Sequence, residues 1–218
     1  MLSHTTTQII AKEGWNQSVF ALMVFVLSYA LSFVPWFFFG VFLFTLFIYR
    51  NPERVCDEED GFSFISPSDG KIIDIQKVML HDGSEKLSVV IQKSLFNVGI
   101  LRAPMALNIL ETHKRNGLFL PRTSPLALSL SEKNTLTCKG RFGEVKLVLR
   151  CGVWSQKMEL LKSIGPLKMG QRFAFLNEGD ITLLLPLDAR LKVTLHDDVK
   201  AGTTVLGYFD YKGHDDKL

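Results

Sequence analysis

Few residues of this chain have side chains suited to bond-making chemistry, and they lie far apart. Asp69 falls in ISPSDGK, Asp180 closes NEGD, Arg102 sits in LRAP and His113 in ETHKRNG. A carboxylate, a guanidinium that can fork onto phosphate, and an imidazole poised near neutral pH are the parts of acid–base chemistry or anion binding. Each has a plainer reading as well. An Asp-Gly turn uses its carboxylate to cap the backbone between strands, a His in a polar run is commonly a surface residue, and Arg102 could simply pair with Asp69. Lys71 and Arg172 read equally well as a solvated face. Cys56, Cys138 and Cys151 show no CxxC spacing and no neighbouring His, so neither a disulfide framework, a zinc site nor a thiolate nucleophile is suggested. Gly83-Ser84 reads as a hairpin turn after a strand.

Positioning these residues falls to two very different pieces of chain. From Gly14 to Tyr49 there is no charged residue, and much of the chain's stock of 17 Phe is crowded here. Such a run belongs in a bilayer. One straight helix over residues 18–49 would be about 48 Å long, well beyond a hydrocarbon core of about 30 Å. Pro35 interrupts the run, so two helices of about 23 Å each are expected. They form either a membrane-embedded hairpin, the favoured reading, or one kinked span. In the hairpin, Lys12, Arg50 and Arg54 share a side, which the positive-inside rule makes cytoplasmic. Residues 1–16 are then an N-terminal cytoplasmic segment, 17–49 the anchor of an inner-membrane protein and 50–62 a linker.

Residues 63–218 read as a mostly β domain of the barrel or sandwich-hybrid kind facing the cytoplasm. KIIDIQKVML, LSVVIQ, NVGIL, GEVKLVLRC, ITLLLP, RLKVTL and TTVLGYF are the expected strands, and Trp154 to Lys162 is the one stretch with a helical pattern. Turns are expected at Ser68-Asp69-Gly70, His81-Asp82-Gly83, Asn116-Gly117 and Asp197-Asp198. SPSDGKIIDI and HDDVKAGTTVLGYF share one design, a turn with Asp and Gly beside a hydrophobic strand. The net charge of +3 is spread rather than clustered, so nucleic acid is not implied.

In order, the chain carries EGW at 13–15, IYRNPER at 48–54, ISPSDGK at 65–71, NVGILRAP at 97–104, GLFLP at 117–121 and GQRFAFLNEGDITLLLP at 170–186. The set resembles the landmarks of the short, membrane-anchored phosphatidylserine decarboxylases of bacteria and archaea. Those enzymes show an FFRDPER exit, an SPADGK turn, an NVHVNRAP strand, a GERFGMIRFGSRVDVYLP segment and a closing V-x-x-G-x-T-V-x-G turn. The resemblance implies a proenzyme that cuts itself at Gly-Ser, the Ser becoming a pyruvoyl group that serves as electron sink while phosphatidylserine becomes phosphatidylethanolamine. It puts Asp69 at the Asp of an Asp-His-Ser processing triad, Gly99 at the His and, across one deletion, Gly179 and Asp180 at the cleaved pair.

Gly99 cannot accept a proton, and Asp180 lacks the β-hydroxyl that must attack and later leave. The resemblance therefore implies a degenerate, non-catalytic member with no metal and no cofactor. It would bind membrane phospholipid or regulate a protein partner in phospholipid synthesis, with Arg102 and His113 as candidate headgroup ligands. Two alternatives stand beside it. One is an active decarboxylase with a variant processing site and a pyruvoyl group; the other is a structural membrane protein that docks protein partners.

Overall fold

The computed structural model describes residues 10–54, 61–80, 83–155 and 158–210. Two helices come first, α1 (Trp15–Ala30) and α2 (Pro35–Ile48). At 1.5 Å per residue they are about 24 and 21 Å long, and no helix among the described residues is long and apolar enough to cross a membrane. The two short helices expected on either side of Pro35 are thus present, while the expectation that they include a transmembrane helix is not supported. The kinked span also falls away, because the chain doubles back: Ile10 bridges Arg50 in antiparallel fashion, and the Ala11 amide donates to the Tyr49 carbonyl at 2.9 Å. Pro35 is the first residue of α2, where its missing amide costs nothing. The turn before it needs left-handed backbone at Ser32 and Val34, a strained conformation for a β-branched residue.

The remainder is mostly β, and all its strand pairings are antiparallel. In chain order the strands are β1 (Ser63–Ile65), β2 (Gly70–Met79), β3 (Glu85–Lys93), β4 (Ile100–Arg102), β5 (Leu107–Arg115), β6 (Lys133–Gly140) and β7 (Gly143–Cys151). They continue as β8 (Glu159–Leu160), β9 (Gly165–Leu167), β10 (Arg172–Phe175), β11 (Gly179–Leu185), β12 (Ala189–Leu191), β13 (Asp198–Val199) and β14 (Val205–Phe209). One four-residue helix, α3 (Ala127–Leu130), interrupts them. The large sheet runs β13-β2-β3-β11-β7-β6-β5-β9; β1-β14-β12 and β4-β10-β8 form two smaller ones.

Alternation decides which face each side chain takes. In β7, Val145, Leu147, Leu149 and Cys151 point inward, and in β11 so do Ile181, Leu183 and Leu185. These rows, with Val89 and Ile91 of β3 and with Phe64 and Phe173, make one continuous core. The helix expected over Trp154 to Lys162 is a turn and the short β8, because Leu160 and Glu159 pair with Ala174 and Phe175 and the ladder overrides a local pattern. Residues 156–157 of that stretch, and His81 and Asp82 of one expected turn, lie outside the described residues. The two similar segments do meet: Asp198 and Val199 pair with Lys71 and Gly70.

A second, smaller core joins the hairpin to the β domain. Ala11 and Tyr49, with Ile10 and Ile48, pack against Val98, Ile100 and Phe175. The Tyr49 and Phe175 rings stack with centroids 5.7 Å apart.

Candidate functional site

Asp69 sits in the turn between β1 and β2, 8% exposed, and the contacts of its carboxylate among the described residues come from three distant parts of the chain. Its Oδ1 accepts from the Ala201 amide at 2.8 Å and its Oδ2 from the Val98 amide at 3.4 Å. Arg54 closes a two-pronged ion pair on the same carboxylate, with Nη2 to Oδ2 at 2.8 Å and Nη1 against Oδ1. Burial pushes this carboxyl up, but Arg54 and the two amides more than offset it and hold it below the usual range. Arg54 belongs to the stretch expected to be mere linker. Residues 55–60, with Cys56, lie outside the described residues.

Arg102 does not pair with Asp69. Its guanidinium donates to the carbonyls of Gly170 at 3.0 Å and Pro52 at 3.3 Å, so it pins the chain leaving α2 onto the β domain. Arg50 does the same one step earlier, donating to the Phe96 carbonyl at 2.8 Å.

Gly99 lies between Val98, which donates to Asp69, and β4. A Cβ built there would meet Phe175 Cε2 at 2.4 Å and Cζ at 2.6 Å, closer than carbon atoms approach. The space into which any side chain at 99 would project is filled by the ring that stacks on Tyr49.

Beside this cluster is a residue the sequence reading missed. Lys93 takes the inward position two beyond Ile91, is 1% exposed, and donates to the carbonyls of Asn97 at 3.1 Å and Ser94 at 3.4 Å. Burial brings its amine down to about 7, with Asp69 and Glu178 pulling the other way. Counting alternate residues outward from Val89 would have found it.

Asp180 lies elsewhere. Gly179 pairs with Lys93 and Asp180 with Gln92, so the Asp180 side chain takes the opposite face of the sheet from Lys93. It is 7% exposed and flanked by Arg122 at 3.4 Å and Arg150 at 3.6 Å. Burial pushes its carboxyl up despite both arginines. Gly179 approaches β7 so closely that a Cβ would lie 1.9 Å from the Arg150 carbonyl oxygen. Asp69, Gly99 and Lys93 are thus brought together, while Asp180 is separated from them. His113 is exposed on β5 opposite Thr135 and touches neither group. Cys138 and Cys151 are buried, their thiols pushed up to about 12 by desolvation, which makes them inert.

Residues 41–207, from within α2 to β14, match the phosphatidylserine decarboxylase family. The chain belongs to that family. Among curated relatives it is similar to the phosphatidylserine decarboxylase proenzyme of Symbiobacterium thermophilum, 31% identical over 94% of this chain and 98% of the relative. It is 28% identical to that of Geotalea uraniireducens, over 91% of this chain and 95% of the relative. With that of Geotalea daltonii it shares 30% identity over 78% and 82%. The phosphatidylserine decarboxylase match takes in both the Asp69 cluster and the Asp180 strand.

Proposed function

We propose that this chain is a membrane-bound, non-catalytic member of the phosphatidylserine decarboxylase family that binds phospholipid. The observation that carries the reading is the Phe175 ring, which fills the place beside Gly99 where the resemblance expects a general base. Two further features support it. Asp69, the expected orienter of that base, is held by Arg54. Asp180 has no β-hydroxyl and stands inside a strand paired on both sides, so the residues at the expected cleavage point do not fit a precursor of the pyruvoyl group.

Membrane attachment is supported by the inside-out pattern of the hairpin. The buried side chains of α1 are Ser18 and Ser28, and α2 has none, while Phe20, Met23, Leu27, Trp36 and Phe37 face outward. Such a hairpin suits a re-entrant or interfacial anchor whose two ends return to one side, set as cytoplasmic by Lys12, Arg50 and Arg54. A protein partner in phospholipid synthesis is the regulatory form of the same reading.

Likeness along nearly the whole length of known proenzymes favours one rival, an active decarboxylase with variant processing. Intact mass after membrane extraction separates the two. The expected result is one uncut chain, no carbonyl trapped by borohydride, and no labelled carbon dioxide released from phosphatidylserine. Two fragments, or any enzyme-dependent release, would sink the proposal.

A further inference from the structure

Five strands of the large sheet begin or end at one level. β3 leaves at Lys93, opposite Gly179, where β11 enters; Gly179 also faces Cys151, where β7 leaves. Arg150 faces Lys133 at the start of β6, and Lys133 faces Arg115 at the end of β5. The loops after β3, β5 and β7, residues 94–99, 116–131 and 152–155, therefore crowd one end of the sheet. Backbone bonds tie them down: the Leu118 amide donates to the Leu130 carbonyl at 2.8 Å, Cys151 to Glu132 at 3.0 Å and Gly152 to Glu178 at 3.1 Å. The hairpin docks at the same end, where the Phe44 ring meets Phe96 with centroids 6.4 Å apart and Arg50 donates to the Phe96 carbonyl.

These loops contain no Asp or Glu, and their one charged residue is Arg122. They expose Phe96, Leu118, Leu126, Leu130, Val153 and Trp154, the last 66% accessible. The strand ends beneath them add Lys114, Arg115 and Lys133. The neighbouring acids are turned inward: Glu132 and Asp180 are buried, and Glu178 accepts from the Trp154 amide at 2.7 Å. The opposite end of the sheet, where β2 passes to β3 and β6 to β7, is ordinary by comparison. Among the described residues it exposes Met79 and Leu187 as its large apolar side chains and mixes Glu85 and Glu144 with Lys139 and Arg141. Apolar residues scattered singly over a surface are normal, whereas an acid-free cluster of them ringed by bases marks a contact.

We propose that this end of the sheet is a second membrane contact, with Phe96 and Trp154 entering the interface of an anionic bilayer and Lys114, Arg115, Arg122 and Lys133 meeting its headgroup charge. Aromatic side chains favour the interfacial zone, and each base near an anionic surface adds a modest attraction. Such a patch alone is too weak to hold a protein on a bilayer, and helices of about 24 and 21 Å fall short of spanning one; the two signals together make a stable attachment. The hairpin by itself would leave the β domain free to tilt, while a second contact beside Phe44 fixes which end faces the lipid. The inference deepens the membrane-bound reading above and rests on it.

The test uses the full chain in phosphatidylcholine vesicles, with or without a quarter phosphatidylglycerol, whose acyl chains carry bromine near the headgroup to quench tryptophan. Trp15→Phe with Trp36→Phe, both at exposed hairpin positions, leaves Trp154 as the reporter; Trp15→Phe with Trp154→Phe leaves Trp36. Trp154 should be quenched in the anionic vesicles and several-fold less in phosphatidylcholine alone. Lys114→Gln with Arg122→Gln, or roughly 0.5 M sodium chloride with the native charges kept, should lower the anionic signal in the same way. Trp36 quenched with Trp154 unquenched overturns the second contact and leaves the hairpin as the anchor. Neither quenched overturns the membrane-bound reading as well. Quenching of Trp154 that ignores both lipid charge and salt overturns the anionic partner. Trp154 unquenched in vesicles yet shielded from iodide in native membranes assigns the face to a protein and overturns the lipid contact.

Discussion

Lys93 ends the inward row of β3 with a desolvated amine, and its titration makes a signed prediction. Burial lowers it from 10.5 to about 7 in the folded protein, so between those values the unfolded chain binds the extra proton. Stability should then rise with pH across that window, by up to about 1.4 kcal/mol per unit, with no slope from this group below pH 7. Lys93→Met should flatten the rise, as read by urea unfolding midpoints at pH 7, 8 and 9. Asp69 gives a slope of the same sign in an acid window, since its folded value is also lowered. Its carboxyl is held below its ordinary value chiefly by Arg54 against the push of burial, so its contribution is complete above about pH 4. That contribution is lost as the pH falls through the folded value. Asp69→Asn should cost about 3 kcal/mol at neutral pH, since it leaves Arg54 partly buried and unpaired, and the deficit should close in acid. At residue 99 the issue is space. Gly99→Ala should destabilise by roughly 1–3 kcal/mol through overpacking against Phe175. The same change made in a Phe175→Ala background should cost at least about 1 kcal/mol less, a coupling that a double-mutant cycle reads directly.

Elements were legible in the sequence to the extent that one local pattern determined them. The uncharged, Phe-rich run broken by Pro35 gave two helices, and β7 appears over Gly143–Cys151 because strict alternation and a Gly at the turn leave no competing reading. β5 and β6 escaped notice: LNILETHKR and KNTLTCKG are largely polar, and they are strands because each has a ladder on both sides. Trp154 to Lys162 failed for the same reason, with β10 imposing extension on a helical pattern. At the site, motif order marked Asp69, Gly99 and Asp180 as positions of interest. Arg54, Arg122, Arg150 and Lys93 were not seen, because what singles them out is a partner 15 or more residues away, or complete burial. Face assignment was the other gap: the adjacent positions Gly179 and Asp180 take opposite sides of the sheet, and only the register with Lys93 and Gln92 shows which.

On the scale of the whole molecule, the hairpin and the β domain are not separable at Arg50. Tyr49, Ile48, Ile10 and Ala11 cover Val98, Ile100 and Phe175, and Arg50, Arg54 and the Pro52 carbonyl are tied to the domain as well. Removing residues 1–49 should release the protein from the membrane fraction but leave an apolar patch where Tyr49 lay. Sedimentation and gel filtration should show a self-associating species with a lowered melting temperature, whereas a chain beginning at Ile48 should stay monomeric. For the lineage, the Phe175 ring acts as a ratchet. An imidazole has no room at position 99 while the aromatic occupies its path, and the aromatic cannot leave without unseating Tyr49. Either change taken first passes through a poorer folder, so on the non-catalytic reading proposed above descendants of this chain would be steered toward new uses of the scaffold and away from self-cleavage.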